Sequence, residues 1–362
     1  MPSPSHSPSP PDPPHLTDTA DLADAPDATD APDATDAPDP TDPPEHARAP
    51  ASSEAGSAWW LTGDLGAFLA RGTEFLRSDP VLHTALLSVT ETLRVQGLQA
   101  YGEGAPLFGT YADAHGTVRG AFVRTPPHRL ALSPLTPAAT DSLARRLAGV
   151  SPGLPGVAAD QATAESFTRA WARHTGAAGV LGTRQRLYRL EALTPPEPVP
   201  AGRARLATGA DRDLLARWHE EFGAAVGERP AMRPGDWADA RLAYGGVTLW
   251  ETPDGTPAAM AGVTRLIAGQ VRVAPVYTPA PFRGRGHGGA ATVAVTRAAL
   301  DAGAAEVLLF TDLANPTSNG LYRRIGYRPV RDFAQYEFTR DAPAGNASAP
   351  HREAAVTATA TP

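Results

Sequence analysis

The stretch from residue 271 to residue 300 constrains this chain more than any other. A run of alternating, β-branched character, Val271-Arg272-Val273-Ala274-Pro275-Val276-Tyr277-Thr278, leads into Arg283-Gly284-Arg285-Gly286-His287-Gly288-Gly289 and then into an alanine-rich helical segment. Strand, glycine-rich turn and helix in that order build an anion site from backbone. The glycines let the chain turn with its N–H groups converging, and the helix adds the positive end of its dipole. Arg283 and Arg285 place charge-assisted donors beside it.

Spacing separates this loop from other phosphate loops. A Gly-x-x-x-x-Gly-Lys-Ser/Thr loop is excluded because the chain has no lysine; all 32 of its Lys and Arg positions are arginine. Gly284, Gly286 and Gly289 fit Gly-x-Gly-x-x-Gly, but the acid expected about 20 residues on is missing, and Asp301 only closes the same helix. Arg-Gly-Arg-Gly also occurs in disordered RNA-binding boxes, yet a single copy between a strand and a helix argues against that here. The pattern that fits is Arg-x-x-Gly-x-Gly, carried by Arg283, Gly286 and Gly288. It resembles the acetyl-CoA pyrophosphate loop of the GNAT superfamily of N-acyltransferases.

A second segment supports the resemblance. Glu306-Val307-Leu308-Leu309-Phe310 reads as a buried strand, and Thr311-Asp312-Leu313-Ala314-Asn315 leaves it. Asn315 suits an N-cap, Pro316 the first helical position and Gly326 the helix end. Asn315, Tyr322, Gly326 and Tyr327 repeat the superfamily's order of Asn, Tyr and Gly followed by an aromatic. Residues 203–339 therefore resemble a GNAT domain, which implies an α/β fold of the α+β type with a mixed central sheet flanked by helices.

The resemblance implies acetyl-CoA as cosubstrate and no metal. The cofactor would lie where the Val276 strand diverges from the Val307 strand, with backbone groups of Val276, Tyr277 and Thr278 along its pantetheine arm. Arg283, Gly284, Arg285, Gly286, His287, Gly288 and Gly289 would hold the pyrophosphate, and Asn315 and Ser318 would reach the arm from the other side. His287 is expected to contribute backbone rather than to act as a base. Tyr322, a phenol with an ordinary pKa of about 10, would protonate the departing thiolate. As a plain packing aromatic it would instead continue the apolar face of Leu321 and Ile325. Many relatives carry a glutamate on the strand before the loop; Arg272, Val273, Ala274 and Pro275 offer no carboxylate. Glu251 and Asp312 are the candidates for a base acting through water, and either can equally be a structural acid. The expected reaction is acetylation of a primary amine, with a small molecule as acceptor. A protein N-terminus as acceptor, a non-catalytic acyl-CoA-binding module, and an interaction protein working through its acidic tail are the alternatives.

Composition bounds the remainder. Residues 1–56 are rich in Pro, Asp and Ala, repeat Asp-Ala-Pro-Asp from Asp24, and read as a disordered acidic tail. They hold 12 acids and Arg48, a charge of −11 against −7 for the whole chain, so the rest carries +4. That balance suits an anionic cofactor and gives no case for nucleic acid. Cys is absent, which excludes disulfides and thiolate chemistry. No signal peptide and no apolar run of about 18 residues is apparent, so a cytoplasmic protein without a membrane partner is expected. Residues 57–193 read as a degenerate GNAT-like half lacking the loop, 194–202 as a stiff proline linker, 203–340 as the catalytic domain and 341–362 as a disordered tail. Acceptor identity and oligomeric state stay open.

Overall fold

The computed structural model describes residues 56–227 and 231–339. The two expected disordered tails lie outside the described residues, Gly56 apart. Among the described residues no helix is long and apolar enough to cross a membrane.

Local signals account for most elements. Asp64 accepts the Ala67 N–H and starts α1 (Leu65–Ser78), which is followed by α2 (Thr84–Gln96). β1 (Ala58–Thr62) pairs with β2 (Leu107–Ala112), and β3 (Val118–Arg124) and β4 (Leu130–Leu132) continue the antiparallel meander. Thr136 caps α3 (Pro137–Val150), and Asp160, the last residue of β5 (Gly156–Asp160), caps α4 (Gln161–Thr175). α1 and α2 bury Phe68, Leu76 and Leu86 against Phe108 and Val123 on one sheet face. α3 and α4 bury Leu143, Leu147, Phe167 and Trp171 against Trp59, Phe122 and Leu130 on the other.

The second half runs β6 (Ala178–Leu190), β7 (Arg203–Leu206), α5 (Arg212–Val226), α6 (Pro234–Leu242), β8 (Val247–Glu251), β9 (Pro257–Val263), β10 (Gln270–Tyr277), α7 (His287–Asp301), β11 (Glu306–Asp312), α8 (Pro316–Arg324) and β12 (Tyr327–Thr339). β7 is an edge strand and β8, β9 and β10 form an antiparallel set. α7 and α8 cover one face through Val295, Tyr322 and Ile325, and α5 and α6 cover the other through Leu215, Trp218 and Trp237.

All strands join one mixed, 12-stranded sheet of order β1-β2-β3-β4-β5-β12-β6-β11-β10-β9-β8-β7. The order joins the segments 57–193 and 203–340 in a single sheet. β6, the last strand of the first segment, lies between β11 and β12; β12, the last of the second, lies between β5 and β6. Each segment thus lends its final strand across the boundary. The start of β6 at Ala178 is not legible in the sequence, because Gly179 and Gly182 interrupt any alternation. β1, β5 and α6 were likewise not expected from the sequence; their apolar patterns are too short to show a period.

The proline segment is tied down at both ends. The Glu191 and Thr194 N–H groups donate to Gly326 and Ile325 at 3.0 and 3.1 Å, so the chain leaves β6 bound to the end of α8. A Cβ on Gly202 would sit 2.0 Å from the Glu251 carbonyl oxygen, so only glycine lets the segment close onto β8 there.

Candidate active site

β10 and β11 run parallel from Gln270 opposite Glu306 to Val273 opposite Leu309, and no further. Beyond Val273 the pairing of β10 with β9 shifts register before Val276, while β11 continues along β6 to Asp312. The two central strands therefore splay at the position expected from the sequence, and the edges they expose line a cleft.

The glycine loop closes one side of that cleft. Gly284 and Gly286 have φ of 74° and 82°, a left-handed conformation that an L side chain adopts only with strain. Gly286 opens α7 without a capping side chain, which leaves the first-turn N–H groups directed at the cleft. Arg283 Nε donates to the Thr278 carbonyl at 3.0 Å, tying the loop to the end of β10. A Cβ on Gly288 would stand 3.0 Å from Thr278 Oγ1, and one on Gly289 2.9 Å from Leu321 Cδ1. Those small residues let the start of α7 approach β10 and α8 together. Arg283 and Arg285 are exposed and form no ion pair among the described residues.

The opposite wall is the turn from β11 into α8. Asn315 Oδ1 accepts the Ser318 N–H at 3.0 Å and caps α8, so Ser318 sits in its first turn. Asp312 accepts the Ala314 N–H at 2.8 Å through Oδ1 and shapes the turn. Asn319, not singled out by the sequence, donates to the Asp312 and Asn315 carbonyls and accepts from the Tyr188 hydroxyl at 2.9 Å. It anchors this wall to β6. Tyr322 is buried in the core beside Tyr327, with no hydrogen-bond partner for its hydroxyl among the described residues, and burial pushes its pKa up to about 12.

The surroundings of three expected residues bear on what each can do. Glu251 is enclosed by Arg205 and by Arg203, whose Nη2 lies 3.2 Å from Oε2, and Arg205 also reaches Asp211 at 2.7 Å. Arg205 holds the Glu251 carboxyl below its ordinary range, which suits a structural ion-pair node and not a proton acceptor. The Tyr277 side chain turns away from α7 into the α5 core and donates to Glu221 Oε2 at 2.8 Å, so only its backbone faces the cleft. Glu221 went unnoticed because it lies on the polar side of an ordinary amphipathic helix. His287 is buried, with Nδ1 lacking a partner, and burial followed by nearby Arg285 lowers its pKa. It enters the site as a neutral ring beneath the loop, beside Phe282 at 6.3 Å. Among the described residues no group of His, Cys, Asp and Glu could hold a metal.

The splayed sheet with its glycine loop and capped second helix is an acetyltransferase-type scaffold, and a family model matches the segment that builds it. Residues 212–327 match the model of the acetyltransferase (GNAT) family, and the chain carries a GNAT acetyltransferase domain. A Drosophila protein of known structure superposes with TM-score 0.54 and 12% identity, over 79% of this chain and 100% of its own. A GCN5-related N-acetyltransferase from Sphaerobacter thermophilus gives 0.49 and 18%, over 78% and 95%. A tandem GNAT protein from the clavulanic acid biosynthesis pathway gives 0.47 and 11%, over 81% and 100%. At such identities the likeness is one of fold. No curated protein matches the sequence.

Proposed function

We propose that the chain transfers an acetyl group from acetyl-CoA to a primary amine of a small molecule. The observation that carries this reading is the uncapped start of α7 at the mouth of the β10–β11 splay, reached by Arg283 and Arg285. The cradle fits the cosubstrate: Gly284 and Gly286 aim N–H groups, Gly288 keeps the approach to Thr278 open, and the exposed edge of β10 at Val276 can pair with an amide-bearing arm.

The acceptor nitrogen forms a bond to the thioester carbonyl carbon as the C–S bond breaks; the nitrogen gives its proton to water, and the departing sulfur takes one from Tyr322, which regains it from water. Tyr322 supplies the acid. A phenol with a pKa of about 12 is fully protonated at neutral pH and lies in a dry setting where it need not compete with water. Asp312 is occupied by its turn and Glu251 by its arginines.

Calorimetric titration of acetyl-CoA into the protein, with Arg283→Ala beside it, tests the reading. Loss of one charge-assisted contact to phosphate should weaken binding about 10- to 100-fold. Absence of binding to the unmodified protein would overturn the proposal.

A further inference from the structure

The face of the sheet opposite α7 carries a cavity of about 70 Å³, walled by α2 of the first half, by α6 and by the β9–β10 hairpin. Its cationic lining is Arg241, Arg265 and Arg272; its acid is Glu91, whose Oε1 is already paired with Arg94 at 2.8 Å. None of the three arginines forms an ion pair among the described residues. Arg265 lies 4.2 Å over the Tyr244 ring, and Arg241 lies between the Trp237 and Tyr244 rings at 5.7 and 5.9 Å. Arg272 reaches only Thr84 Oγ1, at 3.4 Å, and the face of Phe310 at 5.8 Å. Arg241 is held by the Tyr244 hydroxyl and the Val263 carbonyl, and Arg265 acts on Glu91 from a distance, so three half-buried guanidinium groups share one carboxylate that Arg94 already binds, an excess of positive charge that an anion would relieve. Burial, with Arg241 adding to it, lowers the Arg272 pKa to about 10, the direction expected of a cation lacking its anion.

The position of Arg272 gives the cavity a use. Val271 and Val273 face α7, so the side chain between them projects to the other face. Arg272 is also one residue before Val273, where β10 parts from β11, a distance of about 3.3 Å along the strand. A molecule whose anionic group is held at Arg272 therefore has the rest of its length beside the opening. Resting on the acetyl-transfer reading above, we infer that this cavity is the acceptor pocket and that it selects amines carrying a carboxylate. Arg272, Arg265 and Arg241 receive the carboxylate, whose planar oxygens match the guanidinium fork. Tyr101, Trp237 and Tyr244 bound an apolar or aromatic body.

The probes are 3-phenylpropionate, which keeps the carboxylate and lacks the amine, and 2-phenylethylamine, which does the reverse. Calorimetry should show the carboxylate binding at least about tenfold more tightly than the amine. Arg272→Gln should abolish that preference, and Arg265→Ala, on the hairpin, should reduce it, while both variants keep the acetyl-CoA affinity of the parent protein. In turnover, L-phenylalanine should exceed 2-phenylethylamine in kcat/KM by a similar factor. Equal binding of the two probes, or a preference that survives both substitutions, overturns the inference. The acetyl-CoA titration on the same samples reports separately on the parent reading.

Discussion

Replacing Tyr322 by phenylalanine separates a catalytic hydroxyl from a packing ring. The side chain is 8% exposed and lies 6.2 Å from the Tyr327 ring, but its hydroxyl bonds to nothing among the described residues. Tyr322→Phe therefore breaks no hydrogen bond and orphans no partner, and the unfolding free energy should shift by less than about 0.5 kcal/mol. Tyr322→Ala, which empties the core position, should cost about 3–5 kcal/mol. As general acid the hydroxyl is worth about 10²- to 10⁴-fold in kcat, or about 2.7–5.4 kcal/mol of barrier. Thiol release measured at saturating acetyl-CoA, denaturant unfolding and acetyl-CoA calorimetry on the same variant give the three quantities needed. A large fall in kcat with stability and affinity unchanged is the expected result. A kcat within about threefold of the parent would refute the assignment and leave Tyr322 as a packing residue. The pKa of about 12 adds a check on sign. Because it is raised in the fold, its stabilising effect is complete below the unfolded value of about 10 and is lost as pH rises through 12, so no loss of rate from Tyr322 ionisation should appear below about pH 10.

Two further outcomes follow from the packing. His219 stacks on Trp237 at 4.2 Å with Nδ1 unpartnered, and burial, with Arg241 nearby, lowers its pKa from 6.5 to about 4. Its contribution is therefore full above pH 6.5 and fades as pH falls through 4, by up to about 3 kcal/mol; denaturant curves at pH 7 and pH 4.5 should show a smaller loss in His219→Phe, and equal losses would refute it. Ala334 is buried in β12 and pairs with Ala159 of β5 and Arg184 of β6. Ala334→Pro removes a ladder donor from a central strand, at a cost of about 3 kcal/mol or more. Amide exchange should then accelerate together in β2–β3 and in β9–β10, whereas protection retained in either half alone would contradict the shared sheet.

The legible part of the site was the part built from neighbours in sequence. Gly284 and Gly286 are needed for their left-handed backbone, and Asn315 and Pro316 for the start of α8, wherever the surrounding chain goes. Glu251 misled because a carboxylate at a strand end looks free until its partners, Arg203 and Arg205, arrive from another strand. The side of the sheet that the Tyr277 ring meets was not legible, because the register shift between Val273 and Val276 alters which face the following side chains meet. Glu221 and Asn319 gave no signal at all, since their meaning comes from contacts with Tyr277 and Tyr188.

By itself the sequence determined the loop, the helix caps and the order of strand, turn and helix from residue 271 to residue 327, because backbone angles and capping bonds are settled within a few residues. Only the tertiary structure decided that β6 and β12 cross between the halves, that Thr194 is bonded to the end of α8, and that Arg241, Arg265 and Arg272 line one cavity beside Glu91. Strand pairing and charge balance depend on groups far apart in the chain, and which of them meet is settled by the burial of the whole sheet rather than by any local stretch.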